Sequence, residues 1–335
     1  MYNTQAMYNL LTMPYKEGKV FKNFYNLPAE LRMMVVDEMT PEDRGTFCGS
    51  SKLSYAEAKN SKNYIHGLEL QIESEDQIRL TVEHGDFEVY GETGYCMEFR
   101  NQNGRSYMKY VINGSKELWR IDLDHSKNLV QIAVEHFEEI LERHQKSVRN
   151  LIIDTRNVDY EININAGIRR LSRLEELSVM GNCKVSKILS KIPLPLKVLQ
   201  METKRNEEIP EHLIYETQNM LNIEDLTLNN AQFLQLAASN VAIRIGDLTE
   251  TDIFNFIDSW ANGKIRKDLS WCLWDLEGSK FDKIKLFALF RHFDFDADDF
   301  DIEVTIKHRT EARKQAVLGC LGNTLQVRFE DGSSN

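Results

Sequence analysis

Apolar residues recur at two different intervals in the first 124 residues of the chain, and each interval predicts one kind of secondary structure. Residues 21–62 repeat apolar side chains every three or four positions, which predicts helices. From residue 68 to residue 124 the interval falls to two, as in Leu68–Ile72, and turn residues such as Asn103-Gly104 separate the alternating segments. Alternation interrupted by Asn-Gly is typical of β-hairpins, so this part predicts an antiparallel β region.

The helical stretch carries signals for three helix starts. Pro28 fits the first turn of a helix, because the N–H group that Pro lacks would have no partner within the helix there. Thr40 followed by Pro41 is a second start, because Thr can cap the helix that Pro opens. A third helix is expected to begin at Ser50 and to run through Ala58. Residues 21–62 therefore predict a three-helix module.

The second half of the chain follows an amphipathic helix predicted over residues 127–145 and then repeats a short pattern. The pattern is apolar-x-x-apolar-x-apolar, or close to it, and helix-like runs separate its copies. A strand followed by a helix at intervals of about 20 to 29 residues is typical of leucine-rich repeats. The alternative is an ordinary layered α/β domain in which the spacing is coincidental. The six segments are Val148–Ile153, Leu174–Val179, Leu196–Met201, Ile223–Leu228, Val241–Ile245 and Leu269–Leu273.

These patterns together predict an α/β fold: a three-helix module, then a small antiparallel β region, then an irregular leucine-rich-repeat-like strand–helix domain. At the end of that domain, Phe281–Phe293 predicts a helix, and Phe300–Ile306 and Thr324–Phe329 predict strands. Stacked strand–helix units leave a parallel sheet along one face, and such faces bind partner proteins.

Composition narrows the class of partner and the compartment. The formal net charge of −11 disfavours binding to nucleic acid and to anionic membranes. A run of about 18 apolar residues, which a membrane-spanning helix needs, does not occur, and Met1–Tyr15 lacks the basic start of a signal peptide. The five cysteines are widely spaced without a C-x-x-C pair, which indicates free thiols in a reducing compartment. We therefore expect a cytoplasmic or nuclear protein with no nucleic-acid or membrane partner.

The motifs of common catalytic and metal sites do not occur in the sequence. It has no phosphate-binding glycine loop, dinucleotide fingerprint, nucleophile elbow or zinc-ligand spacing. The acidic run Asp294–Asp301 resembles a calcium loop, but its sixth position is Asp299 instead of Gly and its twelfth is Thr305 instead of Glu. We therefore expect no catalytic residue, no cofactor and no metal; an enzyme whose site is built from distant residues stays an alternative.

Residues 21–62 resemble an F-box. The resemblance is carried by Asn26–Met39, by Pro41–Arg44 and by the region of Ser50-Ser51-Lys52, although Gly45–Gly49 replaces the usual aliphatic run of the second helix. It implies docking on a Skp-type adaptor, which links the chain to a cullin scaffold. Roughly 40 residues cannot bury a self-sufficient core, so these apolar side chains need either a partner or the downstream domain. The implied adaptor-contact residues are Leu27, Pro28, Leu31, Met34, Val35, Met39 and Phe47.

The C-terminal half resembles the nematode F-box-associated domain, type 2. The residues that carry this resemblance are Leu248–Gly263, followed by Leu269 and preceded by Ile223–Leu228. Within it, Asp252–Trp260 predicts an amphipathic helix that Gly263 ends. The resemblance implies that the downstream domain recognises substrate proteins.

The expected organisation is a leader over residues 1–20, the F-box over 21–62 and a substrate-binding F-box-associated domain over 63–335. The expected function is that of the substrate-recognition subunit of an SCF-type cullin-RING ubiquitin ligase, in which a Skp-type adaptor, a cullin and an unknown target protein are the partners. The alternative is a scaffold or an inhibitor of a specific partner protein that works without the ligase.

Overall fold

A computed structural model describes residues 28, 31–32, 35–36, 65–84, 94–112, 116–123, 128–203, 208–265, 268–290, 302–311 and 313–331. The chain divides into two compact units. Unit 1 is Met1–Asp159 with Ile164–Leu174, and unit 2 is Tyr160–Asn163 with Glu175–Asn335. The predicted boundary between the F-box and the downstream domain, at residues 62 and 63, lies outside the described residues, as does the predicted leader.

Unit 1 contains six strands in the order β6-β1-β2-β3-β4-β5. The first five strands pair antiparallel in chain order, whereas β6 pairs parallel to β1. One helix, α1 (Leu129–His144), lies between β5 and β6 in the chain. The strands are β1 (Ile65–Ser74), β2 (Gln77–His84), β3 (Gly94–Gln102), β4 (Arg105–Ile112), β5 (Lys116–Asp122) and β6 (Asn150–Thr155).

The local sequence explains these elements. Leu68, Leu70 and Ile72 alternate along β1 and are all buried, because successive side chains of a strand point to opposite faces. Asn103 and Gly104 both have positive φ, 56° and 72°, which is the backbone that a two-residue turn between β3 and β4 requires. Strands thus occupy the part of the chain where alternation predicted an antiparallel region, of which the alternating segment Phe87–Tyr90 lies outside the described residues.

Unit 2 contains eight strands in the order β14-β15-β16-β13-β12-β11-β10-β8. Strands β8, β10, β11, β12 and β13 pair parallel with one another. Strands β16, β15 and β14 follow β13 in the sheet and pair antiparallel. The short strands β7 (Ile162–Asn163) and β9 (Cys183–Lys184) pair separately. The eight strands are β8 (Glu176–Gly181), β10 (Val198–Thr203), β11 (Met220–Ile223), β12 (Asn240–Arg244), β13 (Trp271–Asp275), β14 (Ile302–Lys307), β15 (Lys314–Leu321) and β16 (Thr324–Asp331).

Helices contribute little to the described part of unit 2. Two of them, α2 and α4, are four residues long, which is about one turn. Among all helices in the described residues, only α1, α5 and α6 reach seven residues. The helices are α2 (Ser186–Leu189), α3 (Glu211–Tyr215), α4 (Asn230–Phe233), α5 (Glu250–Ala261) and α6 (Lys283–Leu289).

The predicted fold class, a three-helix F-box followed by a leucine-rich-repeat-like strand–helix domain, is wrong. The described residues form mainly mixed β-structure: fourteen strands in runs of six and eight, the short pair β7 and β9, and six helices besides the helical positions 31–32 and 35–36. Buried parallel strands do recur in unit 2, but most helices between them are short, since α2, α3 and α4 have only four or five residues. The three helices predicted over residues 21–62 lie outside the described residues, apart from Pro28, Leu31–Arg32 and Val35–Val36.

Two errors in strand position have local causes. The segment predicted at Ile223–Leu228 is misplaced, because β11 ends at Ile223 and a turn follows, in which the Leu226 N–H donates to the Ile223 carbonyl. Strand β15 was not predicted at all. Its centre, Ala316–Leu318, is buried at successive positions and therefore lacks the alternation by which half-exposed strands are recognised.

Helix α5 shows how this sequence starts and stops a helix. The Thr249 hydroxyl accepts the Asp252 N–H while the Asp252 carboxylate accepts the Thr249 N–H, which is a capping box. At the other end Gly263 has a φ of +68°. The N–H groups of Gly263 and Lys264 donate to the carbonyls of Trp260 and Ser259, a Schellman motif. The helix therefore begins two residues before the predicted start at Asp252.

Candidate functional site

Three of the seven residues expected to contact an adaptor are described. The N–H groups of Leu31 and Arg32 both donate to the Pro28 carbonyl, at 3.1 and 3.0 Å, which forms the first turn of a helix at Pro28. Leu31 and Val35 are four positions apart and so share one side of that helix. They are 46% and 37% exposed, whereas the neighbouring Val36 is fully buried. This segment therefore presents an apolar pair on its surface; Leu27, Met34, Met39 and Phe47 lie outside the described residues.

A second surface is formed by the strands of unit 2. One face of these strands is buried, through residues such as Leu199, Val241 and Trp274. The alternate residues point to the opposite face, which we call the open face. Strand register aligns them in two rows across β8, β10, β11, β12, β13 and β16. Row one is Glu176, Val198, Met220, Asn240, Trp271 and Arg328, and row two is Ser178, Gln200, Asn222, Ala242, Leu273 and Gln326.

The centre of the open face is apolar and partly accessible. Trp271 and Leu273 are neighbours on β13, two positions apart, and both are half-buried. Ala242, on the adjacent strand, is 9% exposed. Side-chain amides flank this centre: Asn222 lies on one side of it in row two and Gln326 on the other. Such a mixture of an aromatic residue, aliphatic residues and amides is typical of protein-binding surfaces.

The two cations at the margins of the open face are paired with carboxylates. Arg244, beyond row two on β12, places Nη1 3.2 Å from Asp225 Oδ1 and Nε 3.9 Å from Asp275 Oδ2. Arg328, at the end of row one, places Nη2 3.1 Å from Glu303 Oε1. Since these cations face carboxylates of the same unit, the open face presents little net positive charge.

The buried side of unit 2 contains an apolar cavity of about 120 Å³. Its volume is below the roughly 300–1,000 Å³ of ordinary small-molecule pockets. The lining side chains offer no acid, base or charged group. The lining residues are Phe233, Leu234, Leu236, Ala238, Val241, Phe256, Ile265, Leu269 and Cys272.

Unit 1 holds two carboxylates whose pKa values shift in opposite directions. Burial, followed by the charge of Glu83, raises the pKa of Glu69. Burial also opposes ionisation of Asp154, but three hydrogen bonds from Arg156 outweigh it and hold the pKa of Asp154 below its ordinary range. Opposite shifts occur both in acid–base sites and in structural ion pairs. The bonds from Arg156 identify Asp154 as part of a structural pair.

Among the described residues, no three His, Cys, Asp or Glu side chains lie together so that they could share a metal ion. In the same part of the chain, every helix is too short or too polar to cross a membrane. The run Asp294–Asp301 that resembles a calcium loop lies outside the described residues.

Sequence reasoning did not identify the open face residue by residue. The signal was present, because Gln200 and Leu273 occupy positions between or beside the buried apolar residues of the repeated segments. It was missed because the strand at Asn222 was misplaced and because the antiparallel neighbour that carries Gln326 was not expected beside β13. Comparison with family models, with curated proteins and with solved structures yields no match to this chain.

Proposed function

We propose that this chain is the substrate-recognition subunit of an SCF-type cullin-RING ubiquitin ligase and carries out no chemistry itself. The observation that carries the proposal is the exposed pair Leu31 and Val35 on the helical segment that begins at Pro28. The resemblance of the surrounding sequence to an F-box supports it. In this proposal a Skp-type adaptor covers the pair and links the chain to a cullin, in the cytoplasm or the nucleus.

The energetic argument for docking is burial of apolar surface. A Leu or Val side chain moved fully out of water contributes about 1.5–3 kcal/mol, so two half-exposed side chains contribute about that amount together. Neighbouring apolar residues of the same segment would add to it, as the adaptor-contact set implies. Coverage by a partner therefore explains why Leu31 and Val35 face outward.

The mechanism is recruitment. Unit 2 holds the target protein, and the segment beginning at Pro28 holds the adaptor. Ubiquitin transfer then becomes effectively intramolecular, because the target is kept at high local concentration beside the catalytic subunits of the complex. No cofactor is required of this chain. The target is a protein, since the open face combines apolar and amide groups without a concentration of cationic side chains.

A ligase-independent scaffold is the second candidate. The observation that favours it is that the open face lies wholly within unit 2 and includes none of the adaptor-contact residues. Such a scaffold would bind its partner through unit 2 and would leave that partner's abundance unchanged.

Affinity capture of the full chain tests the proposal. We expect the Skp-type adaptor and the cullin to co-purify with the natural chain and to be lost when Leu31→Lys and Val35→Lys are combined. Ile284→Lys is the control, because Ile284 is 72% exposed on α6 and the change places a lysine on another exposed apolar position. Equal capture by the double variant, or failure of the natural chain to capture the adaptor, would contradict the ligase role.

A further inference from the structure

The two side-chain amides of row two lie at a defined separation. Asn222, Ala242, Leu273 and Gln326 occupy four adjacent strands in register, so three strand spacings separate the first from the last. At about 4.8 Å per spacing, the two amides stand roughly 14 Å apart across the sheet. An extended chain advances about 3.4 Å per residue, so this interval matches about four residues of a peptide lying across the strands.

Both amides are available to a ligand. Within the described part of the chain, the side chains of Asn222 and Gln326 make no hydrogen bond. Both are half-buried, so water reaches them but neighbouring strands restrict them. A side-chain amide carries an N–H donor and a carbonyl acceptor, which is the same pair of groups that a peptide bond presents. Each can therefore bond a peptide group in both directions.

The surface between the amides is apolar. Ala242 and Leu273 lie between Asn222 and Gln326, and Trp271 borders Leu273 in row one; Asn240, the neighbour of Ala242 in that row, donates its amide to the Asn219 carbonyl. Trp is the residue type most enriched among the energetically dominant contacts of protein interfaces. The apolar area covers β12 and β13, and a polyhydroxylated ligand such as a glycan would leave its hydroxyls unpaired across it. An apolar side chain is the group that this area fits.

Charge restricts the ligand further. Row two contains no charged side chain, and the charged groups beside it on the same face are already engaged: Arg244 with Asp225 and Asp275, and Glu202 with the Gln200 amide. A ligand charge placed over the centre would lose its water without gaining a counterion, which is unfavourable. The net charge of −11 also disfavours a single-stranded nucleic acid, because it repels the phosphate backbone.

We propose that the open face of unit 2 binds an extended, uncharged peptide segment of the target protein across β11, β12, β13 and β16. The amides of Asn222 and Gln326 bond its backbone, and one apolar side chain of the peptide packs on Leu273 and Trp271. This inference rests on the proposed function as a substrate receptor, and it adds the region and the chemistry of the target segment.

Selection from a random-peptide library displayed on phage, with the full chain immobilised, tests the inference. We expect the enriched peptides to share a stretch of about four uncharged residues with a central apolar side chain, as the span of row two requires. Fluorescence polarisation of an enriched peptide should then show affinity reduced by about tenfold or more in Asn222→Ala/Gln326→Ala and in Leu273→Lys. Thr305→Lys is the control on the same sheet, because Thr305 is exposed on β14, away from the rows named.

The outcomes separate this inference from the proposed function. Leu273→Lys should lose the peptide and keep the adaptor, while Leu31→Lys/Val35→Lys should lose the adaptor and keep the peptide. Thermal unfolding of each variant verifies that it folds. If Leu273→Lys does not fold, Asn222→Ser replaces it as a smaller change that should also weaken binding of the peptide. Enrichment of peptides with charged centres, no enrichment over a blank surface, binding of glycans instead of peptides, or affinity unchanged in every open-face variant would overturn the inference. Peptide binding without adaptor capture would contradict the ligase role alone.

Discussion

The indole ring of Trp260 and the imidazole ring of His308 meet edge to face, with centroids 4.9 Å apart and ring planes at 87°. Both residues are buried, Trp260 on α5 and His308 directly after β14. The Nδ1 atom of His308 accepts the backbone N–H groups of Thr310 and Glu311, at 3.3 and 3.1 Å. The imidazole is therefore oriented by the loop that follows β14, and its contact with Trp260 packs α5 against that loop.

Truncation of Trp260 tests how much this contact region contributes to unit 2. Trp260→Ala should lower the free energy of unfolding by about 3–5 kcal/mol, because a fully buried aromatic side chain is replaced by a cavity. Trp271→Ala is the matched control, since Trp271 is half-buried on the open face and its loss should cost about 1 kcal/mol. Urea denaturation measures both. Equal losses in the two variants would contradict this assignment of core and surface.

Two glycines with similar positive φ differ in the space around them. Gly246 and Gly278 have φ of +54° and +69°. A Cβ at Gly246 would lie 2.7 Å from Thr227 Cβ, whereas one at Gly278 would meet nothing within 4 Å. Both Ala variants carry the cost of positive φ, about 1 kcal/mol. Gly246→Ala carries a steric cost in addition, because its Cβ would meet Thr227. We expect Gly246→Ala to lower the melting temperature clearly more than Gly278→Ala. The reverse order would contradict the close packing of Gly246 against Thr227.

Glu250 gives unit 2 a dependence on pH. Its Oε1 accepts the Asp282 N–H at 2.9 Å and its Oε2 lies 3.2 Å from Lys285 Nζ. The Asp282 N–H, and to a smaller extent Lys285, hold the pKa of Glu250 below its ordinary value of 4.5 against the effect of burial. A carboxyl whose pKa is lower in the folded state stabilises that state above its unfolded pKa, and the stabilisation is lost as the pH falls through the folded pKa.

Glu250→Gln should therefore destabilise the protein by about 1–2 kcal/mol near pH 7, because it removes a charge-assisted bond. The difference from the natural chain should shrink as the pH falls below 4.5, the ordinary pKa of the group. Denaturation in urea across this pH range measures the difference. Asp252→Asn, which alters a carboxylate at the start of the same helix, controls for the helix dipole. A difference that stays constant with pH would contradict the account of Glu250.

Cys96 on β3 is expected to react slowly with alkylating reagents. Burial raises the pKa of its thiol from 9.0 to about 11. The thiolate is the reactive form, and this rise lowers its fraction near pH 8 by about 100-fold. Mass spectrometry after brief treatment with iodoacetamide should find Cys96 unmodified in the native chain and modified in urea. Rapid modification of the native thiol would show that β3 is more open than its burial indicates.

The sequence predicted local elements better than their assembly. Leu68–Ile72 and Asn103-Gly104 predicted a strand and a turn because each depends on a few adjacent residues. The size of the helical component was overestimated, because apolar spacing between strands does not distinguish one turn of helix from three. The pairing of β16 with β13 joins residues about 50 positions apart, and such register depends on packing that a single sequence does not display.

For the candidate site, helical spacing placed Leu31 and Val35 on one side of a helix, and the resemblance to an F-box implied that both contact an adaptor. The open face was not, since Asn222 and Gln326 are ordinary polar residues until strand register places them on either side of Leu273. A functional surface assembled from several strands is visible only when those strands are aligned.

The most direct test is a binding titration between the purified full chain and a purified Skp-type adaptor, followed by calorimetry. We expect saturable binding with one adaptor per chain, weakened by about tenfold or more in Leu31→Lys/Val35→Lys, because a lysine ammonium cannot replace buried apolar contacts. The Ile284→Lys variant should bind as the natural chain does. Absence of binding by the natural chain, or unchanged affinity in the double variant, would contradict the claim that this helical segment connects the protein to a ubiquitin ligase.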